Sequence, residues 1–241
     1  MNISEENIIG ELVAADYRTA SVFSAHGIDF CCQGNRTIKN ACDSKNLKSE
    51  LVIDDLQAVS KKQAEGAIDY ASWPIDLLAD YIEKKHHRYV KDKVPVLKQY
   101  LDKICKVHGA NHPELLNINA EFSASATELL AHMKKEESIV FPFVRSAVDA
   151  KQTDVSILKP PFGTVRNPIQ VMMQEHEVEG VRFREIAKLS NNYTPPEDGC
   201  NTYKVTFAML EEFEEDLHLH IHLENNILFP KAILLEKELM N

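Results

Sequence analysis

Residues 220–230 read HIHLENNILFP, and residues 132–142 read HMKKEESIVFP. At a constant offset of 88 residues the two match without a gap: His132 with His220, Glu136 with Glu224, Phe141 with Phe229, Pro142 with Pro230. An acid also stands four residues before each histidine, Glu128 and Asp216. A step of four stacks such residues on one helix face. At roughly 100° per residue, His220 and Glu224 share the stripe of Phe213, Leu217 and Ile227, while His132 and Glu136 share that of Leu129, Ile139 and Phe143. Both pairs are predicted to point into a core. His218 and His222 fall on the opposite face beside Glu215 and Asn225, and read as solvated surface residues.

Outward from this repeat, apolar residues recur at helical spacing over about 74–106, 113–149, 168–189 and 201–237. Pro113-Glu114 and Asn167-Pro168 open the second and third stretches, and the joints VHGANH, TDVSILKPPFGTVRNP and NNYTPPEDGCN hold most of the remaining Gly and Pro. No stretch after residue 70 alternates as a strand. An all-α, up-down four-helix bundle over 72–241 is the expectation. Ahead of it, KKQAEGAIDYASWP carries Gly66 and ends in Ser72-Trp73-Pro74, a helix-start signal that marks a boundary and sets residues 1–65 apart.

The 241 residues, 44% of them apolar, suffice for a packed core and exclude a disordered chain. The 27 Lys and Arg stand against 37 Asp and Glu, a net charge of −10 with no long basic stretch, which argues against nucleic acid as a partner. No apolar run approaches the ~20 residues of a membrane helix, and MNISEENIIGE is acidic where a signal peptide is basic. The expectation is a soluble, cytoplasmic protein. Five cysteines, odd in number and irregular in spacing, fit a reducing compartment. The ten histidines are the composition's unusual feature.

Two inward glutamates in a dry core need partners, since an unpaired buried carboxylate costs several kcal/mol, and a metal is the most economical one. His176 lies on the inward stripe Ile169, Met172, Phe183. The first long helix offers His86 or His87; the helical wheel does not separate them, and the spacing between successive histidines favours His87. The candidate ligands are therefore His87, His132, Glu136, His176, His220 and Glu224. Four imidazoles and two carboxylates in two equivalent halves suit two iron ions bridged by the glutamates. An oxo or hydroxo bridge would bring each ion to about five ligands, with a position open for a small molecule. The order His-x-x-x-Glu departs from the Glu-x-x-His of ferritin-like bundles and is richer in imidazole. Glu128 and Asp216 are candidate acceptors for the ring N–H groups, and His108 a candidate lining of an access path. His26 and His112 need no function, and Cys42, Cys105 and Cys200 read as structural.

At these residues the chain resembles the hemerythrin-like superfamily, and within it the repair-of-iron-centres family of di-iron proteins. HMKKEESIVFP and HLENNILFP resemble that family's two His-x-x-x-Glu signatures, and HHRYVKDKVP and QEHEVEG the contexts of its single histidines. The resemblance implies the same six ligands and places glutamates near the site at Glu128 and Glu175, with His86 beside His87 as the soft point. GIDFCCQGNRTIKNAC resembles the family's small helical N-terminal domain with its vicinal cysteines. Cys31 and Cys32 are adjacent, so a ring between them would be strained and easily reduced. That suits electron transfer, nitrosyl handling or metal contact, with two packed thiols as the plain alternative.

The implied function is repair of iron–sulfur clusters damaged by oxidative or nitrosative stress, through iron donation or removal of nitric oxide, with damaged iron–sulfur proteins as partners and NO or O2 as small ligands. A nitric oxide reductase-type enzyme and a hemerythrin-like oxygen or iron sensor are the alternatives. The separate N-terminal domain leaves room for a homodimer.

Overall fold

Each apolar-periodic stretch is helical in the structure, a computed structural model in which residues 3–61, 68–155 and 160–240 are described. Four short helices come first: α1 (Ile9–Ala15), α2 (Thr19–Ala25), α3 (Ile38–Ser44) and α4 (Ser49–Lys61). Gly66, read above as part of a joint, lies outside the described residues. A single 3-10 turn over Tyr70–Ser72, capped by the Asp69 carboxylate, leads into α5 (Ile75–Tyr81). The long helices follow as α6 (Arg88–His108), α7 (Glu114–Lys135), α8 (Phe141–Thr153), α9 (Arg166–Leu189), α10 (Asn201–Leu223) and α11 (Phe229–Met240). The class is all-α, a four-helix bundle with a small helical N-terminal domain. Among the described residues no helix is long and apolar enough to cross a membrane.

Three short π-helical turns interrupt the long runs: Ile82–His87 joins α5 to α6, Glu136–Val140 joins α7 to α8, and Glu224–Leu228 joins α10 to α11. The last two occupy equivalent places in the repeat. In both, the backbone N–H of the closing phenylalanine reaches back five residues, Phe141 to the Glu136 carbonyl and Phe229 to that of Glu224. The cause is the proline that follows. Pro142 and Pro230 bring no N–H, and in a continuing α-helix each ring would meet the carbonyl four residues back. A widened turn relieves that clash. It also shifts the helix phase, so Ile139, expected on the inward stripe, is 36% exposed and Phe143 only half-buried, while Val140, Phe141 and Val144 are fully buried.

The chain divides into two compact units, 1–78 with 147–157 and 221–241, and 79–146 with 158–220. In the first, α1 to α4 bury Ile9, Val13, Phe23, Ile38, Val52 and Leu56. The segment between α2 and α3 lies against the π-turn after α10. Asn225 Nδ2 donates to the Cys31 carbonyl and Asn226 Nδ2 to that of Phe30, each at 3.2 Å. The approach needs glycine: a Cβ on Gly10 would stand 2.4 Å from Asn226 Oδ1, and one on Gly34 would stand 2.4 Å from the Phe30 carbonyl. His222 sits in this contact against the rings of Tyr17 and Phe30. The expectation of a solvated His222 is thus overturned: it is 1% exposed, because Tyr17 and Phe30, on the segments flanking α2, cover the face that the wheel assigned to water, and burial lowers it to about 3. His218 is partly exposed beside Glu214.

In the second unit α6 packs on α7 and α7 on α9. Leu97, Leu101, Leu115, Ile118 and Phe122 are wholly buried there. The Phe213 ring meets Phe122 edge-on at 5.4 Å and stacks with Phe183 at 5.7 Å. This apolar layer supports the polar cluster described next.

Candidate metal centre

Within the second unit, His87, Glu136 and His220 offer ligand atoms lying within 4.8 Å of one another, and His132, Glu136 and His176 do the same. All five are 3% exposed or less. Glu136 belongs to both groups. Its Oε1 stands 3.2 Å from His132 Nε2 and its Oε2 stands 3.4 Å from His87 Nε2. His132 Nε2 and His176 Nε2 face each other at 3.0 Å. Two atoms bound at right angles to one ion at about 2.1 Å would be about 3.0 Å apart, so these spacings fit neighbouring ligands on a cation. Glu224, in the first unit, is also fully buried. It follows His220 by one turn, as Glu136 follows His132, which puts it on the His220 face.

The outer nitrogens are held by acids. His87 Nδ1–H donates to Glu137 Oε1 at 2.8 Å, and His132 Nδ1–H to Glu175 Oε2 at 2.8 Å. That tautomer leaves each Nε2 with its lone pair turned inward, the state a metal requires. Lys91 and Lys135 bind the same two acids. Burial raises both carboxyls, but the bonds from lysine and histidine outweigh it and hold Glu137 and Glu175 below the ordinary range.

The acids four residues before each histidine pair with groups on other helical segments. Glu128 pairs with Arg182, and Asp216 Oδ1 accepts from His86 Nδ1 at 3.0 Å. An acid four residues back lies on the same helix as its histidine, whereas the ring N–H points across to a neighbouring one. His86 is buried, with its ring stacked on His220 at 5.6 Å. His108 borders no part of the cluster: it ends α6, about 30 Å along the axis from His87, where its ring meets Tyr203. Cys200 is exposed, which corrects its structural reading. The Tyr203 backbone N–H, then the His108 ring, lower it to about 7.

A cleft of about 220 Å³ reaches His132 and His176 from the surface, lined also by Glu128, Lys135, Glu175 and Glu179. Sequence reasoning missed Glu179, which is 3% exposed and accepts from Ser125 Oγ at 2.6 Å and from Arg182. It also missed Glu137. The available signals were the second acid beside Glu136 and an acid one turn after His176.

A helical bundle that gathers buried histidines around a shared glutamate is the architecture of a non-haem cation-binding protein. Residues 78–232 match the hemerythrin HHE cation binding domain, and residues 5–60 match a domain of unknown function, DUF542. The chain belongs to the hemerythrin family. It is 32% identical over 225 residues to the protein named Iron-sulfur cluster repair protein YtfE of Yersinia pestis (strain Pestoides F), covering 93% of this chain and 96% of that one. The protein of the same name from Yersinia pseudotuberculosis serotype O:1b (strain IP 31758) matches at the same identity and coverage.

Proposed function

We propose that the chain repairs iron–sulfur clusters damaged by oxidative or nitrosative stress, and that His87, His132, Glu136, His176, His220 and Glu224 hold two iron ions for that work. The observation that carries this reading is the placement of Glu136, whose two oxygens face histidines of different groups inside a buried cluster. Glu224 supplies the second shared carboxylate by its place in the repeat. Bound iron would supply redox chemistry and an exchangeable position for a diatomic ligand. The protein's own part is to fix the rings. Glu137 and Glu175 hold the Nδ1 protons of His87 and His132, and the cleft beside Glu175 gives a route to the His132 side. Damaged iron–sulfur proteins are the partners on this reading, and the free cysteines suit a cytoplasmic setting.

Anaerobic loading with ferrous iron should give two irons per chain, and His132→Ala with His220→Ala together should remove at least half. Unchanged iron content in that double variant would defeat the ligand assignment. Loaded protein should also restore activity to an iron–sulfur enzyme inactivated by nitric oxide, beyond what metal-free protein achieves; equal recovery in both would defeat the repair role. The cleft, ample for a diatomic molecule, favours nitric oxide reduction as the second reading. It requires many cycles of nitrous oxide formation per iron pair when a reductant is supplied.

A further inference from the structure

The vicinal cysteines stand in a group of their own. Asp29, Cys31 and Cys32 each place a ligand atom within 4.8 Å of the others, in a unit-one segment separate from the His–Glu cluster of unit two. The two sulfurs are 3.7 Å apart, and Cys31 Sγ is 3.5 Å from Asp29 Oδ1. For one tetrahedral ion with sulfurs at about 2.3 Å and an oxygen at about 2.1 Å, sulfur–sulfur and sulfur–oxygen edges of about 3.8 and 3.6 Å follow. Both distances fall on that figure. The loop is also built to hold its shape. The backbone N–H groups of Cys31, Cys32 and Gln33 all donate to Asp29 Oδ1, and the Phe30 and Cys31 carbonyls are tied to Asn226 and Asn225.

We propose that Asp29, Cys31 and Cys32 form a second cation site, taking one borderline-soft divalent ion such as ferrous iron or zinc, with a fourth position left for exchange. The sulfurs leave no sixfold cage, and the half-buried Cys32 keeps the site reachable. On binding, each thiol gives its proton to solvent as its sulfur bonds the ion, and nothing is oxidised or reduced. Without an ion, the bond to Cys32, then burial and the neighbouring negative charge, hold the Cys31 thiol well above its ordinary range. A bound cation supplies the positive charge that offsets the neighbouring negative charge. Three protein ligands and an open vertex make a station for an ion in transit more than a structural site. The loop is tied to the two residues that follow Glu224, so the station stands next in sequence contact to the ligand-bearing turn.

The test is an anaerobic titration of the full, thiol-reduced chain with cobalt(II). The His–Glu cluster contains no sulfur, so a sulfur-to-cobalt charge-transfer band reports thiol ligation, read in a Cys200→Ser background to remove the exposed thiol. The expected result is a band whose full intensity corresponds to one thiol-bound cobalt per chain, reached by about three added cobalt ions because the His–Glu cluster takes two, abolished in Cys31→Ser with Cys32→Ser and weakened about tenfold in Asp29→Asn. No such band in the wild type, or a band that survives in the double variant, overturns the proposal. X-ray absorption on the zinc-loaded wild type gives a reading free of any folding defect in the variants. Averaged over three zinc ions, about two sulfur neighbours in total support the site, and only nitrogen and oxygen neighbours overturn it.

Discussion

Glu137 and Glu175 touch no candidate cation position, yet each fixes the ring of one histidine that does. Loss of such a partner lowers metal affinity about 10- to 100-fold. Glu137→Gln and Glu175→Gln should each show a fall of that size in a chelator competition, with helicity by circular dichroism unchanged; full affinity in both would mean the rings are held by packing alone. Glu214 makes the opposite kind of residue. Burial, with Glu211 and Glu215 nearby, raises it from 4.5 to about 7 despite the Tyr193 bond. Its folded form prefers the proton, so its stabilisation is complete below the unfolded value and lost as pH rises through the folded one. That loss amounts to about 3 kcal/mol at most. Glu214→Gln should therefore raise stability at pH 8 by about 1–3 kcal/mol and change little at pH 4; equal effects at both would exclude the carboxyl as the cause.

The helices themselves were legible in the sequence, because four long amphipathic stretches and their proline-bearing joints state period and length directly. The inward His and Glu were legible for the same reason, since a four-residue step survives whatever packs around it. The π-turns were not, because a wheel assumes one constant angle, and Ile139 and Phe143 lie beyond the point where that angle changes. The sequence did hold the sign, a Phe-Pro pair five residues after each glutamate. His222 failed differently: a wheel finds opposite faces but says nothing about a separate segment covering the outer one. Deleting Ser138 together with Pro142→Ala should let α7 and α8 run on as one α-helix, since a π-turn is a one-residue insertion in an α-helix and the proline that favours it is gone. The expected outcome is a folded protein that binds cation at least about tenfold more weakly. Unchanged affinity in isothermal titration would separate the widened turn from the site.

For the whole molecule, buried imidazoles and carboxylates couple folding to loading. A cation bound only by the folded chain adds about 2.7 kcal/mol at a free concentration 100 times Kd, which for a chain of this size is a rise in Tm of about 5–10 °C. Scanning calorimetry with ferrous iron and with chelator should show that difference, and Glu136→Ala should erase most of it. A Tm indifferent to iron would place the ions outside the folded core.

The internal repeat has a further consequence at the position just after Glu136 and Glu224. Glu137 and Asn225 are counterparts across the 88-residue offset, and so are Ser138 and Asn226. In the first copy that slot steers a histidine ring; in the second it grips the backbone of the thiol loop. The two copies of the repeat therefore differ in what they hold at this position.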